Sequence, residues 1–208
     1  MNTDPSTPSR IQRPLLIVVS APSGAGKTTL CDRLMAEHSS MVYSISCTTR
    51  ARRGDEVDGR DYHFLSPAEF ERRVAAGEFI EHAVVHGNRY GTLRRTVAEA
   101  LAAGQDVLMD IDVQGADSIR SAARGGEGLL KNGYVDVFIA PPSLAALRAR
   151  LTARGEDTPE VIEGRMKNAL VEMARWREYR YLVINDELDR AYAELRSVVM
   201  AEHCRIGP

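Results

Sequence analysis

The feature that most constrains the fold is a glycine-rich loop between a buried strand and a helix. The run LLIVV at residues 15–19 is apolar throughout, as in a strand buried on both faces of a parallel sheet. SAPSGAGKTT follows at residues 20–29, here called the phosphate loop, and residues 29–38 have a helical pattern. This order is typical of a polyphosphate cradle, because backbone N–H groups and the helix N-terminus point at the same anion.

The phosphate loop fits the pattern G-x-x-x-x-G-K-[ST] except at its first position, where Ala21 replaces glycine. Pro22 biases Ala21 toward an extended conformation that alanine readily adopts. The alternative is a glycine-rich turn with an incidental lysine. We predict a nucleoside triphosphate site in which Lys27 reaches the β- and γ-phosphates and the Thr28 hydroxyl binds Mg²⁺. The predicted ATP contacts are Ala21, Pro22, Ser23, Gly24, Ala25, Gly26, Lys27, Thr28 and Thr29.

The rest of the chain alternates short apolar runs with helical stretches. Further buried strands are predicted at residues 106–111, 135–139 and 181–184. The predicted helices are 92–103, 114–123, 143–154, 159–179 and 186–203. Buried strands separated by helices indicate an α/β fold with a parallel sheet flanked by helices.

Two segments interrupt this alternation. Residues 44–92 carry short alternating runs with many arginines and glycines, which predicts an inserted strand-rich subdomain. Residues 143–169, the lid segment, are helical and rich in arginine, and we predict a mobile flap there. The predicted core is 14–43, 93–142 and 170–208, after a disordered lead-in at 1–13 that is rich in serine, threonine and proline.

Composition bounds the partners and the compartment. A net charge of −2 over 208 residues gives no general attraction to nucleic acid or to anionic membranes. No apolar run approaches the roughly 20 residues that a membrane span needs. Three widely spaced cysteines, Cys31, Cys47 and Cys204, indicate a reducing compartment. We therefore expect a cytoplasmic protein with small-molecule partners. The sequence leaves open whether the chain forms a homo-oligomer.

A second anion site is predicted in SCTTRARRGDEVDGRDY at residues 46–62. Three arginines within four residues, followed by a tyrosine, offer guanidinium forks and a hydroxyl that suit a phosphate dianion. Taken alone, such a charge run is more often a solvated face, and the residues themselves leave that alternative open.

Six motifs in one order resemble the guanylate kinase family. They are S-x-T-T-R-x-x-R-x-x-E-x-x-G-x-x-Y from residue 46, GEFIE at 77–81, GNRYGT at 87–92, DIDVQG at 110–115, IAPPS at 139–143 and NDELD at 185–189. With the phosphate loop, the resemblance covers residues 13–201. It implies a P-loop kinase fold in which 44–92 binds GMP and the lid segment closes over ATP, and a phosphoryl transfer from ATP to GMP or dGMP.

The resemblance also assigns site residues. For the GMP phosphate it implies Arg50, Arg53, Tyr62 and Tyr90, with Glu56 in the same motif. Around the guanine it implies Ser46, Glu81, Thr92 and Asp112. Near Mg²⁺ and GMP it implies Asp110, and for adenine it implies Asn185. Phosphoryl transfer is expected to rest on Lys27, Arg50, Asp110, Arg150, Arg154 and Arg165.

The chemistry of guanine agrees with these assignments. Guanine presents N1–H and N2–H₂ as donors, which a carboxylate such as Glu81 accepts, and an O6 acceptor that suits the hydroxyls of Ser46 and Thr92. Adenine would leave Glu81 facing a lone pair, at a cost of roughly a few kcal/mol. In isolation, Glu81 would read as a salt-bridged strand residue.

Two departures and two alternative functions are weighed against this reading. Arg52 replaces a proline common in the family and Asp55 a glycine, and either change is expected to weaken GMP binding modestly, although Arg52 could also strengthen it.

One alternative function is a non-catalytic binding module, against which the retained Lys27 and Asp110 argue. The other is a P-loop kinase for a different acceptor, against which Glu81 argues.

Overall fold

Nine strands and seven α-helices build the part of the chain that the computed structural model describes, residues 13–85, 87–125, 130, 133–153, 155 and 157–206. The strands are β1 (Leu16–Ser20), β2 (Val42–Tyr43), β3 (Cys47–Thr48), β4 (His63–Phe64), β5 (Phe79–Val85), β6 (Asn88–Leu93), β7 (Val107–Asp110), β8 (Tyr134–Ala140) and β9 (Tyr181–Ile184). The helices are α1 (Lys27–Glu37), α2 (Pro67–Ala75), α3 (Arg94–Ala102), α4 (Val113–Arg124), α5 (Leu144–Ala153), α6 (Pro159–Met173) and α7 (Leu188–His203).

The central sheet is parallel and has the strand order β2-β7-β1-β8-β9. Strand β1 is buried along its whole length, which explains its unbroken apolar run. It pairs with β7 in the register Val19↔Asp110 and with β8 in the register Ser20↔Phe138. The prediction of an α/β fold with a parallel sheet flanked by helices is confirmed. The sequence pattern missed β2, which has only two residues.

Helices cover both faces of the central sheet. On one face, α1 and α7 contribute buried residues such as Leu34 and Leu195 to one hydrophobic cluster. On the other face, α3 and α4 contribute residues such as Leu101 and Ile119 to a second cluster. The sheet is therefore sandwiched between two apolar layers.

The predicted helix at 159–179 is too long. The α-helix ends at Met173, a 3₁₀ turn follows at Trp176–Glu178, and Tyr179 is already extended. The Tyr179 ring packs on Phe138 with 5.2 Å between ring centroids, and the Arg180 N–H donates to the Asp136 carboxylate. These contacts lead the chain into β9, so tertiary packing overrides the local helical preference.

A second sheet with the order β4-β3-β6-β5 lies within residues 47–93, where the inserted subdomain is predicted. Helix α2 begins after Ser66, whose hydroxyl oxygen accepts the Glu69 N–H at 3.2 Å. Its Phe70 ring stacks on Phe79 of β5 with 4.5 Å between centroids and forms a small separate core with Cys47. The second sheet thus has apolar packing of its own.

The lid segment contains α5 and most of α6, which continues past it to Met173. Their buried faces meet in a cluster of Leu147, Leu151, Ile162, Met166 and Ala169. Arg154, residues 1–12 of the lead-in and positions 126–129 and 131–132 lie outside the described residues. Within the described ranges, none of the helices has the length and apolar character needed to cross a membrane.

A buried ion pair fixes α4 to the central sheet. The Arg120 Nε donates to Asp136 Oδ2 at 2.9 Å, and the Tyr134 hydroxyl donates to the same oxygen at 2.8 Å. Asp136 Oδ1 accepts the Arg180 N–H at 2.9 Å. Asp136 is fully buried, so these donors replace the water that the carboxylate loses on folding.

We expect Asp136→Ala to lower the free energy of unfolding by about 3–5 kcal/mol, because it removes the buried carboxylate that accepts from Arg120, Tyr134 and Arg180 and leaves the buried Arg120 charge with only the more exposed Asp117 and Glu178. Urea denaturation measures the loss. The control is Asp189→Ala, which removes an exposed partner of Arg33 and should change stability by less than about 0.5 kcal/mol. Equal effects of the two substitutions would contradict a role for the buried pair.

Candidate functional site

A cleft of about 390 Å³ opens at the carboxyl edge of the central sheet, between the phosphate loop and the second sheet. It brings together most of the predicted site residues. These are Ala21, Pro22, Ser23, Gly24, Gly26, Lys27, Thr28, Thr29, Ser46, Tyr62, Glu81, Tyr90, Asp110 and Asp112. Ala83, Val85, Ile111 and Glu172 line the same cleft without having been predicted.

Backbone conformation and close packing both require glycine in the phosphate loop. Gly24 and Gly26 have φ of +91° and +92°, a region that L-residues rarely adopt. A Cβ on Gly24 would lie 2.8 Å from Leu151 Cδ2, and one on Gly26 would lie 2.2 Å from Asn185 Nδ2. Ala21, by contrast, is buried in the core cluster beside α1, which accommodates its methyl group.

Lys27 is paired with Asp110 at the edge of the cleft. Its Nζ contacts Asp110 Oδ1 and also donates to the Ile111 carbonyl oxygen at 3.3 Å. Burial acts to lower the pKa of Lys27, but the adjacent Asp110 carboxylate outweighs it, and the pKa lies above its ordinary value. The lysine therefore stays charged at the first helical position of α1.

Asn185 supports the phosphate loop from behind. Its Nδ2 donates to the Ala25 carbonyl at 2.7 Å, and its own N–H donates to the Ala140 carbonyl at 2.8 Å. Arg150 Nη2 donates to the Asn185 carbonyl at 2.7 Å. Both side chains thus contact the backbone around the loop here, and their contacts with ATP stay predictions.

Arg53 and Arg165 face one cavity from opposite sides. The cavity has a volume of about 420 Å³ and lies beside the phosphate loop, next to Ser23 and Tyr90. Arg165 belongs to α6, and its Nη1 donates to the Ser23 hydroxyl at 3.5 Å. Arg165 also pairs with Asp157 at 3.3 Å. Two cations on facing elements make this cavity suited to phosphate.

Glu56 orients Arg50. The Arg50 guanidinium donates to both carboxylate oxygens of Glu56, at 2.7 and 3.0 Å, and the Arg53 N–H donates to the same carboxylate at 2.8 Å. The Arg50 hydrogen bonds lower the pKa of Glu56, and the Arg53 N–H adds to this. Arg50 itself is buried, with its guanidinium 5.2 Å from the centre of the Tyr62 ring. Glu56 is thus directed at the arginines of this loop.

The departure at Arg52 has a structural account. Its guanidinium lies 5.1 Å from the centre of the Phe64 ring and 4.0 Å from the Asp58 carboxylate. The side chain is half exposed and does not line the cleft. Nothing in the structure explains Asp55.

Glu81 is a buried carboxylate opposite the phosphate loop. Its Oε1 accepts the Thr92 hydroxyl at 2.7 Å, and only 5% of the residue is exposed. Burial raises the pKa of Glu81 to about 7, and the Thr92 hydrogen bond only partly offsets this. The carboxylate therefore changes charge near neutral pH. Because Thr92 donates to Glu81 here, its predicted donation to guanine O6 would require the hydroxyl to turn.

Gly115 gives Glu81 its space. A Cβ on Gly115 would lie 2.7 Å from Glu81 Oε2 and 3.3 Å from Asp112 Oδ1. Asp112 caps α4, since its Oδ1 accepts the Gly115 N–H at 2.8 Å. Gly115 entered the sequence predictions only as the last residue of the DIDVQG motif, with no assigned role in the site. Glu172, one of the four cleft residues that were not predicted, gave no local signal, because its place in the cleft depends on how α6 packs.

The comparisons agree in sequence and in structure. A family model described as guanylate kinase matches residues 13–202. The guanylate kinase of Symbiobacterium thermophilum is 48% identical over 191 residues, covering 92% of this chain and 87% of the relative. That of Brucella melitensis is 49% identical over 196 residues, covering 93% and 86%.

Among solved structures, the crystal structure of guanylate kinase from Anaplasma phagocytophilum has a TM-score of 0.74 and 32% identity, covering 92% of this chain and 87% of that one. A gluconokinase from Sinorhizobium meliloti has a TM-score of 0.50 at 17% identity, covering 92% and 95%. The second likeness reflects a shared fold only.

We expect Gly115→Ala to displace the Glu81 carboxylate and to lower the free energy of unfolding by about 1–3 kcal/mol, as overpacking of a buried site does. Chemical denaturation and a crystal structure of the variant measure the two effects. The matched control is Gly164→Ala in α6, where an added Cβ meets nothing within 4 Å. That change should be neutral or stabilising by up to about 1 kcal/mol. A stable Gly115→Ala protein with Glu81 unmoved would refute the packing role.

Proposed function

The chain belongs to the guanylate kinase family and is an ATP-dependent GMP kinase, and we propose that it works with Mg²⁺ and accepts dGMP as well as GMP. One observation carries the assignment of roles. A single cleft holds a glycine-rich phosphate loop with a charged lysine on one side and a buried carboxylate between Thr92 and Gly115 on the other. The first suits a triphosphate and the second suits guanine.

The donor side is the phosphate loop. We assign the ATP phosphates to its backbone N–H groups and to Lys27, which the Asp110 pair keeps charged. Gly24 and Gly26 shape this cradle through their positive φ. Arg165, next to Ser23, and Arg150, next to Asn185, lie on the lid segment within reach of the loop. The resemblance adds Arg154, which lies outside the described residues.

The acceptor side combines base and phosphate recognition. We assign the guanine N1–H and N2–H₂ donors to the Glu81 carboxylate. Ser46 and Asp112 line the same cleft, and Thr92 contacts Glu81, so these three residues are assigned to the surroundings of the base. The GMP phosphate is assigned to Arg50, Arg53, Tyr62 and Tyr90. Their arrangement supports this, since the Tyr62 and Tyr90 rings lie 6.0 Å apart and Arg50 faces Tyr62. Glu56 positions Arg50 and Arg53 rather than contacting the ligand.

Phosphoryl transfer in this cleft depends on positioning and charge. The GMP phosphate oxygen is already ionised near neutral pH, so it needs no strong general base to attack the γ-phosphorus. The two anions repel each other, and the protein must hold them in line while it neutralises the transferring group. Lys27, Arg50 and the facing pair of Arg53 and Arg165 supply that charge, and the lid segment limits access of water.

The residues near the phosphate loop fit Mg²⁺. Thr28 and Asp110 both line the cleft and offer hard oxygen ligands. Among the residues that the structure describes, no group of three or more His, Cys, Asp or Glu could hold a metal by itself. This suits an ion bound through one or two protein oxygens and the substrate phosphates. When bound, Mg²⁺ supplies positive charge that neutralises the phosphate oxygens.

The proposal extends to dGMP and to the cellular role. The groups assigned to the acceptor address its base and phosphate, and none is assigned to the ribose 2′-hydroxyl. Three free cysteines, two of them buried, support a reducing cytoplasm. There the enzyme would return GMP to the purine nucleotide pool as GDP.

An ADP-release assay with ATP and Mg²⁺ tests the proposal. GMP and dGMP should be turned over, and AMP, UMP and dTMP should be poor acceptors. Lys27→Ala should lose more than about 100-fold in kcat while GMP binding is largely kept, because it removes a charged transition-state contact. Preferred turnover of AMP, or no turnover at all, would reject the assignment.

Glu81→Gln should lower kcat/KM for GMP about 10- to 100-fold, since a hydrogen bond to a charged group is worth about 1.5–3 kcal/mol. The ratio of kcat/KM for GMP to kcat/KM for AMP should fall at the same time. The matched control is Glu78→Gln, which lies outside the cleft beside Arg72 and should leave both values unchanged. Steady-state kinetics with both acceptors measures the effect, and an unchanged preference for GMP would contradict the guanine contact.

The same variant yields a pH prediction. The pKa of Glu81 is raised to about 7 by burial, so the free enzyme is protonated there below that pH and lacks the charged acceptor. The ratio of wild-type to Glu81→Gln kcat/KM for GMP should therefore rise as pH increases through about 7. Using the ratio cancels the titration of the GMP phosphate. A ratio independent of pH would show that the Glu81 charge is not used.

A further inference from the structure

Every second residue of β5 faces the main cleft. Glu81, Ala83 and Val85 line the cleft, whereas His82 and Val84 between them are exposed. This alternation is that of a strand, in which successive side chains point to opposite faces of the sheet. Of the three residues on the cleft face, only Glu81 has a role in the recognition described above. Two neighbouring positions on the same face are still without one.

Strand β6 places a second row of side chains beside the first. The cross-strand pairs on the cleft face are Glu81↔Thr92, Ala83↔Tyr90 and Val85↔Asn88. Residues that pair directly across an antiparallel ladder share one face of the sheet, and the Thr92 hydroxyl donates to Glu81 at 2.7 Å. The three pairs therefore follow one another along the cleft, with successive pairs about 7 Å apart.

The two ends of this row of pairs have different chemistry. Glu81 and Thr92 form one end and carry groups that suit the base. Tyr90 leads toward the other end, because its side chain lines the main cleft and also the cavity that Arg53 and Arg165 face from opposite sides. Groups suited to a base and groups suited to a phosphate thus lie at opposite ends of the row.

The middle of the row corresponds to the sugar of a nucleotide, because the sugar joins the base to the phosphate. On β5 the residue at this position is Ala83, which follows Glu81 on the same face. Its side chain is a single methyl group, which takes little space and offers neither a hydrogen-bond donor nor an acceptor. Any longer side chain here would project into the cleft between the two ends.

We propose that Ala83 is a specificity-determining residue that contacts the sugar of the acceptor nucleotide and, through its small size, provides the space in which the sugar lies. The proposal rests on the proposed binding of guanine at Glu81 and of the acceptor phosphate beside Tyr90. It adds an orientation, in which base, sugar and phosphate follow one another along β5 from Glu81 toward Val85. Because a methyl group cannot hydrogen-bond to a hydroxyl, this contact does not distinguish ribose from deoxyribose.

The first test enlarges the side chain at position 83. Ala83→Val should raise KM for GMP and dGMP, and the Kd of GMP by calorimetry without ATP, by about tenfold or more, because the added carbon atoms occupy the space of the sugar. KM for ATP should stay within about twofold of wild type. Valine is favoured in strands, so the second sheet should keep its stability in thermal denaturation.

Two further variants serve as controls. Ala83→Ser adds one small atom and should stay within about threefold of wild type in KM for GMP. Val84→Ile enlarges the next side chain on the opposite face, where 54% of Val84 is exposed, and should leave all of these values unchanged.

A crystal structure of the wild-type chain with GMP is the second test, and it decides the matter even if Ala83→Val does not fold. We expect the Ala83 Cβ to lie within about 4.5 Å of a sugar carbon. A Cβ that touches only the purine, or that lies apart from the nucleotide, would overturn the proposal. So would an Ala83→Val variant with wild-type KM for GMP, or one in which KM rises equally for GMP and ATP. Failure of the wild-type chain to bind GMP would reject the proposed function instead.

Discussion

The parallel pairing of β1 with β7 and β8 is the constraint on which the site depends. Because parallel strands end at one edge, the register Val19↔Asp110 places the end of β7 beside the start of the phosphate loop. Lys27, the first residue of α1, then reaches Asp110 although the two are far apart in sequence. A shift of one residue between these strands would separate Lys27 from Asp110.

Neighbouring elements then fix the shape of the loop. Asn185 follows β9 and binds the Ala25 carbonyl, while Leu151 packs on Gly24 from the lid segment. A loop whose φ angles are set by glycine alone would be free to sample many conformations, at an entropic cost on binding. Contacts from these two elements reduce that cost before the ligand arrives, which is how preorganisation raises affinity. The predicted lid therefore also belongs to the scaffold of the loop.

The sequence predicted the features that depend on local pattern. The apolar run of β1 and the spacing of Gly24, Gly26 and Lys27 need only neighbouring residues, and they identified the fold and the phosphate loop. The end of α6 at Met173 was missed because it is set by Tyr179 packing on Phe138, a contact across the sheet. Glu172 and Gly115 were missed for the same reason, since each acquires its place in the site only from an element distant in sequence. Glu56 was found through its motif, but its contact with Arg50 required the folded loop.

Burial of the Glu81 carboxylate lowers the stability of the protein when the carboxylate is ionised, and it favours specificity. Its pKa is about 7 in the folded chain against an ordinary value of 4.5, so the folded state binds the proton more tightly than the unfolded state. This favours folding below pH 4.5, and the contribution is lost as pH rises toward 7, amounting to about 3 kcal/mol. Above pH 7 the folded protein therefore holds an ionised carboxylate whose hydrogen-bond partner is Thr92. Guanine donors at this carboxylate would compensate for the lost water, whereas adenine would not. Under the proposed guanine contact, the same burial that makes the free site costly would also make it selective for its occupant.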